Sequence, residues 1–233
     1  MLRHIRLIIL DLDYVVFDCA QLKAQALRQA MISLADLIPQ NMALPGTADA
    51  EAGFLDHGFR WIHHLELGLD EQNSDDLARS YQVQEGRLLE SRYGKIFPGI
   101  EEFVTGCRKA ELTVALGADA DRDYMVAVVD RYELESLFAV TLCTEDFGMG
   151  DADEMMLEIM HRVEVNPSET LVFGTRPHTF QAANGLDIRT IGCGWGIRDQ
   201  SGLSTADLRS HKIAGLTAAI RKADDLAFRT FGS

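Results

Sequence analysis

The stretch LIILDLDYVVFD, residues 7–18, drives four aliphatic side chains straight into Asp11 and Asp13. Four consecutive large aliphatics predict a strand buried on both faces, as in the middle of a parallel sheet. Strand alternation then puts both acids on the same side, at the strand's carboxyl end. Two close carboxylates repel unless a cation, a shared proton or donor groups intervene. The pair is either a turn that happens to follow a buried strand or a site. As a site it reads as a nucleophile with an acid/base partner, or as two oxygen ligands for Mg2+. Its surroundings have to decide.

Working outward, similar apolar runs recur: LTVALGA (112–118), FAVTLCT (138–144), TLVFGT (170–175) and IRTIGC (188–193). Between them lie helical patterns. PGIEEFVTGCRKA (98–110) opens with Pro98, carries acids in its first turn and ends in Arg108 and Lys109, as the helix dipole favours. DADEMMLEIMHRVEV (151–165) repeats that design, with Met156, Ile159, Met160 and Val163 at helical spacing. GLTAAIRKADDLAF (215–228) is predicted as a closing amphipathic helix. Alternating strands and helices imply an α/β fold with a doubly wound parallel sheet.

The alternation breaks once. From about residue 18 to 94 three helical patterns follow one another with turn-rich separators such as PQNMALPGTAD (39–49). A helical domain inserted after the first strand is predicted over 18–94, with the α/β core formed by 1–17 and 95–233. Ligands of open α/β sheets bind beyond the carboxyl ends of the strands, so such an insert would roof the site.

Charge and cysteines narrow the partners. A net charge of −14 argues against nucleic acid and anionic membrane. LIIL is far too short to span a bilayer or to form an export core. Cys19, Cys107, Cys143 and Cys193 lack metal-ligand spacing, so reduced thiols in a cytoplasmic protein are expected. No Walker loop, dinucleotide glycine motif or serine elbow is present.

The order of strand, DxD, helical insert, FPGIEEFV (97–104), strand, and later LVFGT (171–175), QAANGLDIRTIG (181–192) and GWG (194–196) resembles the haloacid dehalogenase superfamily. It looks most like the branch with a helical cap after the first motif, and within it the phosphoglycolate phosphatase group. The resemblance implies that Asp11 attacks phosphorus, that Asp13 serves as acid and then base, and that Mg2+ bridges Asp11 and the phosphate, with Asp13 at the same metal site. It implies a Rossmann-like core and a small phosphorylated molecule or anion as ligand.

Three departures stand against that pattern. Gly117 replaces the family's Ser or Thr, leaving Gly117 and Ala118 only backbone amides to offer a phosphate. Gly150 aligns with the family's Lys, flanked by Asp151 and Asp153. Thr175 and Thr179 stand where two metal-binding acids are normal, with Arg176 and His178 between them. Losing one preorganised donor costs about 10²–10³ in rate. The losses therefore predict a pseudophosphatase kept as a binding or regulatory module, for an anion or a protein partner. The alternative is a Mg2+-dependent phosphomonoester hydrolase with relocated ligands and low activity.

Several residues are candidates for compensation. Lys95 is the nearest replacement cation by organisation, and Asp119, Asp121, Asp146 and Asp151 follow strand ends on the correct edge. Asp being a good N-cap, helix capping is the plainer reading of those acids. Arg176 has a sharper one: it would contact phosphate, or neutralise Asp11 and Asp13 in place of Mg2+. In the insert, His57, Arg60, Trp61, His63 and His64 are candidate substrate contacts or, for His57 and His64, metal ligands. Cys193, in GCGWG (192–196), is expected to pack rather than to react.

Overall fold

The computed structural model describes residues 4–38, 43–57, 62, 65, 69–147, 151–217, 220–221 and 224. Strand β1 (Leu7–Asp11) is buried along its whole length. Leu7 and Ile9 face one apolar cluster while Ile8 and Leu10 face another, so each face of the strand has its own core. Each of those side chains contributes about 1.5–3 kcal/mol by leaving water.

Strands β2 (Phe17–Asp18) and β3 (Lys95–Ile96) form a short antiparallel pair where the chain leaves the sheet and returns to it. The other strands are β4 (Thr113–Ala118), β5 (Thr141–Cys143), β6 (Thr170–Gly174), β7 (Arg189–Cys193) and β8 (Leu208–Ser210). The sheet runs β5-β4-β1-β6-β7-β8, all parallel. The predicted α/β class and doubly wound sheet are found. The last strand was not anticipated, because LRS has too little apolar content to stand out. Connections on the two sides of β1 diverge, which opens a crevice at its carboxyl end. Asp11 ends β1 at that crevice.

Between β2 and β3 the described elements are helices: α1 (Ala20–Ser33), α2 (Thr47–His57) and α3 (Glu71–Glu90). Asp70 caps α3 by accepting the Asn73 N–H. The core helices follow their sequence logic. In α4 (Ile100–Lys109) the stripe Ile100, Phe103, Val104 and Cys107 is buried. Asp121 caps α5 (Arg122–Arg131), and α6 (Ala152–Val163) packs Met155, Met156, Ile159 and Met160 on the sheet. Pro177 opens α7 (Pro177–Gly185), where its fixed φ suits a first turn. The predicted closing helix lies largely outside the described residues, although Leu216 and Ile220 are buried.

Candidate active site

Past β1 the chain makes a tight turn. Leu12 N–H donates to the Gly117 carbonyl, and Val16 and Phe17 N–H groups both return to the Leu12 carbonyl. This turn holds Asp13 beside Asp11, and both carboxylates are buried. Buried charges need partners.

Asp11 finds one in Arg176. From the turn between β6 and α7, Arg176 reaches Asp11 Oδ2 with Nη2 at 3.3 Å and Asp119 Oδ2 with Nη1 at 2.8 Å. Asp119 also contacts His178 Nε2 at 2.8 Å and accepts the Thr144 hydroxyl at 3.0 Å. The expectation that Arg176 sits at the acid pair holds for Asp11; its second salt bridge goes to Asp119 rather than Asp13. Burial pushes the Asp11 carboxyl up to about 7, with Arg176 pulling the other way. For Asp119 burial also pushes upward, but Arg176 and His178 outweigh it and hold the carboxyl well below the usual range.

Asp13 has a separate cation that sequence reasoning missed. Lys23, on α1, places Nζ 3.0 Å from Asp13 Oδ2 and 3.5 Å from Glu85 Oε1 on α3. Tyr124 donates to Asp13 Oδ1 at 2.6 Å and Tyr81 donates to Glu85 at 2.5 Å. Burial opposes the Lys23 charge, yet Asp13 and Glu85 raise its affinity for the proton above the ordinary lysine range. A signal for this pair was available. Lys23 lies one turn or two before Ala26, Leu27 and Ala30 on the buried stripe of α1, and Glu85 lies on the stripe Leu77, Tyr81, Leu88 and Leu89 of α3. Opposite charges on two apolar helix faces pair or the helices do not pack.

The structure places the remaining candidates as follows. Lys95 is exposed and sits 3.8 Å from Asp18, away from the acid pair. Asp121 caps a helix and Asp146 pairs with Arg122. Asp151 occupies an N-cap position without a side-chain capping bond. Gly117 and Ala118 end β4 beside β1, but Met155 fills the space before Gly117: its Cε would lie 2.9 Å from an added Cβ there. Cys193 is buried, and burial pushes its thiol well up, as packing rather than reactivity requires. Arg60, Trp61, His63, His64 and Gly150 lie outside the described residues, as does the side chain of His57.

These contacts decide what the site can hold. Mg2+ requires near-octahedral oxygen ligation at roughly 2.0–2.1 Å. Here Asp11 Oδ2 faces a guanidinium, and Asp13 faces an ammonium and a hydroxyl donor. Thr175 brings no carboxylate, and no cluster of three or more His, Cys, Asp or Glu suited to a metal occurs among the described residues. The side chains as arranged do not fit Mg2+. Two buried polar atoms, Thr175 Oγ1 and Arg176 Nε, have no hydrogen-bond partner among the described residues. Arg176 Nε–H is a donor, so it suits water or an anion rather than a metal. The cavity over Asp13, Lys23 and Arg176 is about 10 Å3, on the order of one water.

The structure is an α/β protein with a doubly wound parallel sheet, an acid pair at the carboxyl end of its central strand, and helices inserted after that strand. The comparisons with known proteins agree. A family model described as haloacid dehalogenase-like hydrolase matches residues 5–186. The chain belongs to the haloacid dehalogenase-like hydrolase family. Among curated proteins none matches the sequence. Solved structures align over nearly the whole chain. One is described as a predicted phosphoglycolate phosphatase from Haemophilus somnus (TM-score 0.78, 13% identity, 94% of this chain and 99% of that one). Another is a predicted phosphatase from Clostridium acetobutylicum (TM-score 0.80, 12% identity, 94% and 100%). A third is β-phosphoglucomutase from Clostridium difficile (TM-score 0.75, 16% identity, 97% and 99%). At such identities the likeness is one of fold.

Proposed function

We propose that this chain is a pseudophosphatase of the haloacid dehalogenase-like family, with residues 18–94 acting as a cap and the acid pair neutralised from within. The observation that carries this reading is the pair of protein cations already seated on the acids: Arg176 on Asp11 at 3.3 Å and Lys23 on Asp13 at 3.0 Å. A nucleophilic Asp11 would need a free, ionised oxygen aimed at phosphorus. Here burial favours its neutral form and Arg176 occupies one oxygen. An acid/base Asp13 would need to exchange a proton with substrate or water. Here a lysine and a tyrosine hold both of its oxygens.

Phosphate also lacks room. A space on the order of one water would have to open by several atoms before a phosphoryl group could enter. The retained fold then serves as a binding or regulatory module for a small anion or a protein partner. The four cysteines are free and buried, which suits a reducing compartment, and we place the protein in the cytoplasm. Among the described residues no helix is long and apolar enough to cross a membrane.

One observation favours a second reading. The unpartnered donor Arg176 Nε and the unpartnered Thr175 hydroxyl would serve an anion if the site opened, giving slow, cation-assisted phosphomonoester hydrolysis. Hydrolysis of p-nitrophenyl phosphate and a panel of small phosphate esters, with Mg2+ and with EDTA, separates the two. No turnover above the Asp11→Asn control is expected in either condition. Turnover that needs Mg2+ and vanishes in Asp11→Asn overturns the proposal. Turnover equal with EDTA, and lost in Asp11→Asn, establishes the second reading.

A further inference from the structure

Away from the acid pair, a larger opening lies where the inserted helices meet the sheet. It is a cleft of about 670 Å3, inside the range of small-molecule sites, roughly 300–1,000 Å3. Its walls come from separated parts of the chain: Arg92 and Lys95 from the return to the sheet, Trp195 and Arg198 from the loop after β7, and Glu51 from α2. Asp11 and Asp13 do not line it.

The charges around it are unevenly committed. Glu51 is buried and accepts the backbone N–H of Arg198 at 2.6 Å, so its carboxylate is held inward. Arg198 Nε stays 3.9 Å from Glu51 with its side chain 71% exposed, and Lys95 Nζ stays 3.8 Å from Asp18 with 69% exposed. Pairs this long and this wet are weak. Arg92 is exposed and pairs with no carboxylate among the described residues. Three loosely held cations thus outnumber the two lining acids, Asp18 and the inward-held Glu51, in one opening of a chain of net charge −14.

The backbone of the walls is tied to the core. The Trp195 indole N–H donates to the Val15 carbonyl at 3.0 Å, which fixes the ring. At Gly196 an added Cβ would lie 2.1 Å from the Tyr14 carbonyl oxygen, so the loop is pressed against the core. Gly94 has φ +86, and an added Cβ would lie 2.3 Å from the Phe17 ring. Preorganised walls lower the ordering cost of binding.

We propose that this junction cleft binds a small organic oxyanion, a phosphate ester or a carboxylate, through Arg92, Lys95 and Arg198, with Trp195 as a flat wall beside it. The ligand would touch α2 and the sheet loops together, so its binding reports on how the inserted helices sit. The site is independent of any chemistry at Asp11.

The test is NMR titration of the full chain, 15N-labelled, with inorganic phosphate, phenyl phosphate and benzoate. Saturable shifts are expected at the Trp195 indole and at residues 92–95 and 195–198. Phosphates saturating below benzoate identify a phosphate ester as the ligand class, and the reverse order a carboxylate. The double variant Lys95→Ala with Arg198→Ala should weaken binding at least about tenfold, and Lys95→Arg with Arg198→Lys should restore most of it. Both positions are exposed, and an unchanged thermal melt verifies folding. The proposal is overturned by no saturation with any probe up to about 10 mM. It is also overturned by shifts centred on residues 11–13 and 174–176, or by binding indifferent to the double variant. Hydrolysis plays no part in this readout, so it stands or falls separately from the turnover assay.

Discussion

At the scale of single residues, the site is a matter of charges buried in opposite pairs. Arg176 compensates Asp11 and Asp119, and Lys23 compensates Asp13 and Glu85. Removing one member leaves the others unpaired inside the protein, which costs about 3–5 kcal/mol. Arg176→Met and Lys23→Met should each lose that much in urea unfolding, and Arg176→Met with Asp119→Asn should lose less than the sum of the two single changes. Titration offers a second check. Burial pushes the Glu85 carboxyl up to about 7, against the pull of Lys23 and the Tyr81 hydroxyl. A raised acid keeps its proton longer when folded, so its effect on stability falls as pH rises from about 4.5 to about 7. Asp119, with its carboxyl held low, acts in the other direction: its contribution is complete above about 4 and is lost as pH falls below that. Urea unfolding across pH should show stability declining toward neutrality, with a shallower decline in Glu85→Gln. A slope unchanged in that variant would show that Glu85 does not titrate as described.

At the scale of elements, the inserted helices are tied to the sheet by a few specific contacts. Glu51 on α2 accepts the Arg198 N–H across the junction. Glu51→Ala strands that donor and should cost about 1.5–3 kcal/mol in thermal unfolding, as for other hydrogen bonds to charged groups. The loop that presents Arg198 depends on Gly196, because any side chain there collides with the Tyr14 carbonyl. Gly196→Ala should destabilise by more than ~3 kcal/mol, since the Tyr14 backbone cannot give way and the Phe97 ring crowds the same space. Calorimetry on both variants checks these values. The helices themselves were largely legible from apolar spacing, as α4 and α6 illustrate. Their mutual placement was not. Lys23 and Glu85 are 62 positions apart, and only the packing of α1 on α3 brings them to Asp13.

At the scale of the whole molecule, an excess of 14 negative charges repels itself in the compact state. Salt screens such exposed charges within about 8–10 Å at physiological strength. Raising ionic strength from near zero to about 0.15 M should therefore increase the melting temperature, while the buried pairs at Asp11 and Asp13 are little affected. A melting temperature that falls with salt would mean that surface ion pairs outweigh the net repulsion. The sheet order places β1 in the middle, flanked by β4 and β6. That position puts Asp11 within reach of groups from β4, from the turn after β6 and, through Asp13, from the inserted helices.

The sequence by itself determined the class of fold, the central strand with its two acids and the run of inserted helices. Those are properties of local pattern: apolar runs four to six residues long, helical spacing, and residue types at fixed places in a motif. The tertiary structure alone decided which cations meet the two acids. Arg176 could be suspected because it lies within a motif. Lys23 could be read as a buried cation needing an acid, but not assigned to Asp13, nor could Lys95 be dismissed, because side-chain charge pairing depends on distances between elements far apart in the chain. The same holds for the junction cleft, whose cations stand more than 100 positions apart between Arg92 and Arg198. Pattern sets what each segment is; packing sets which charges meet.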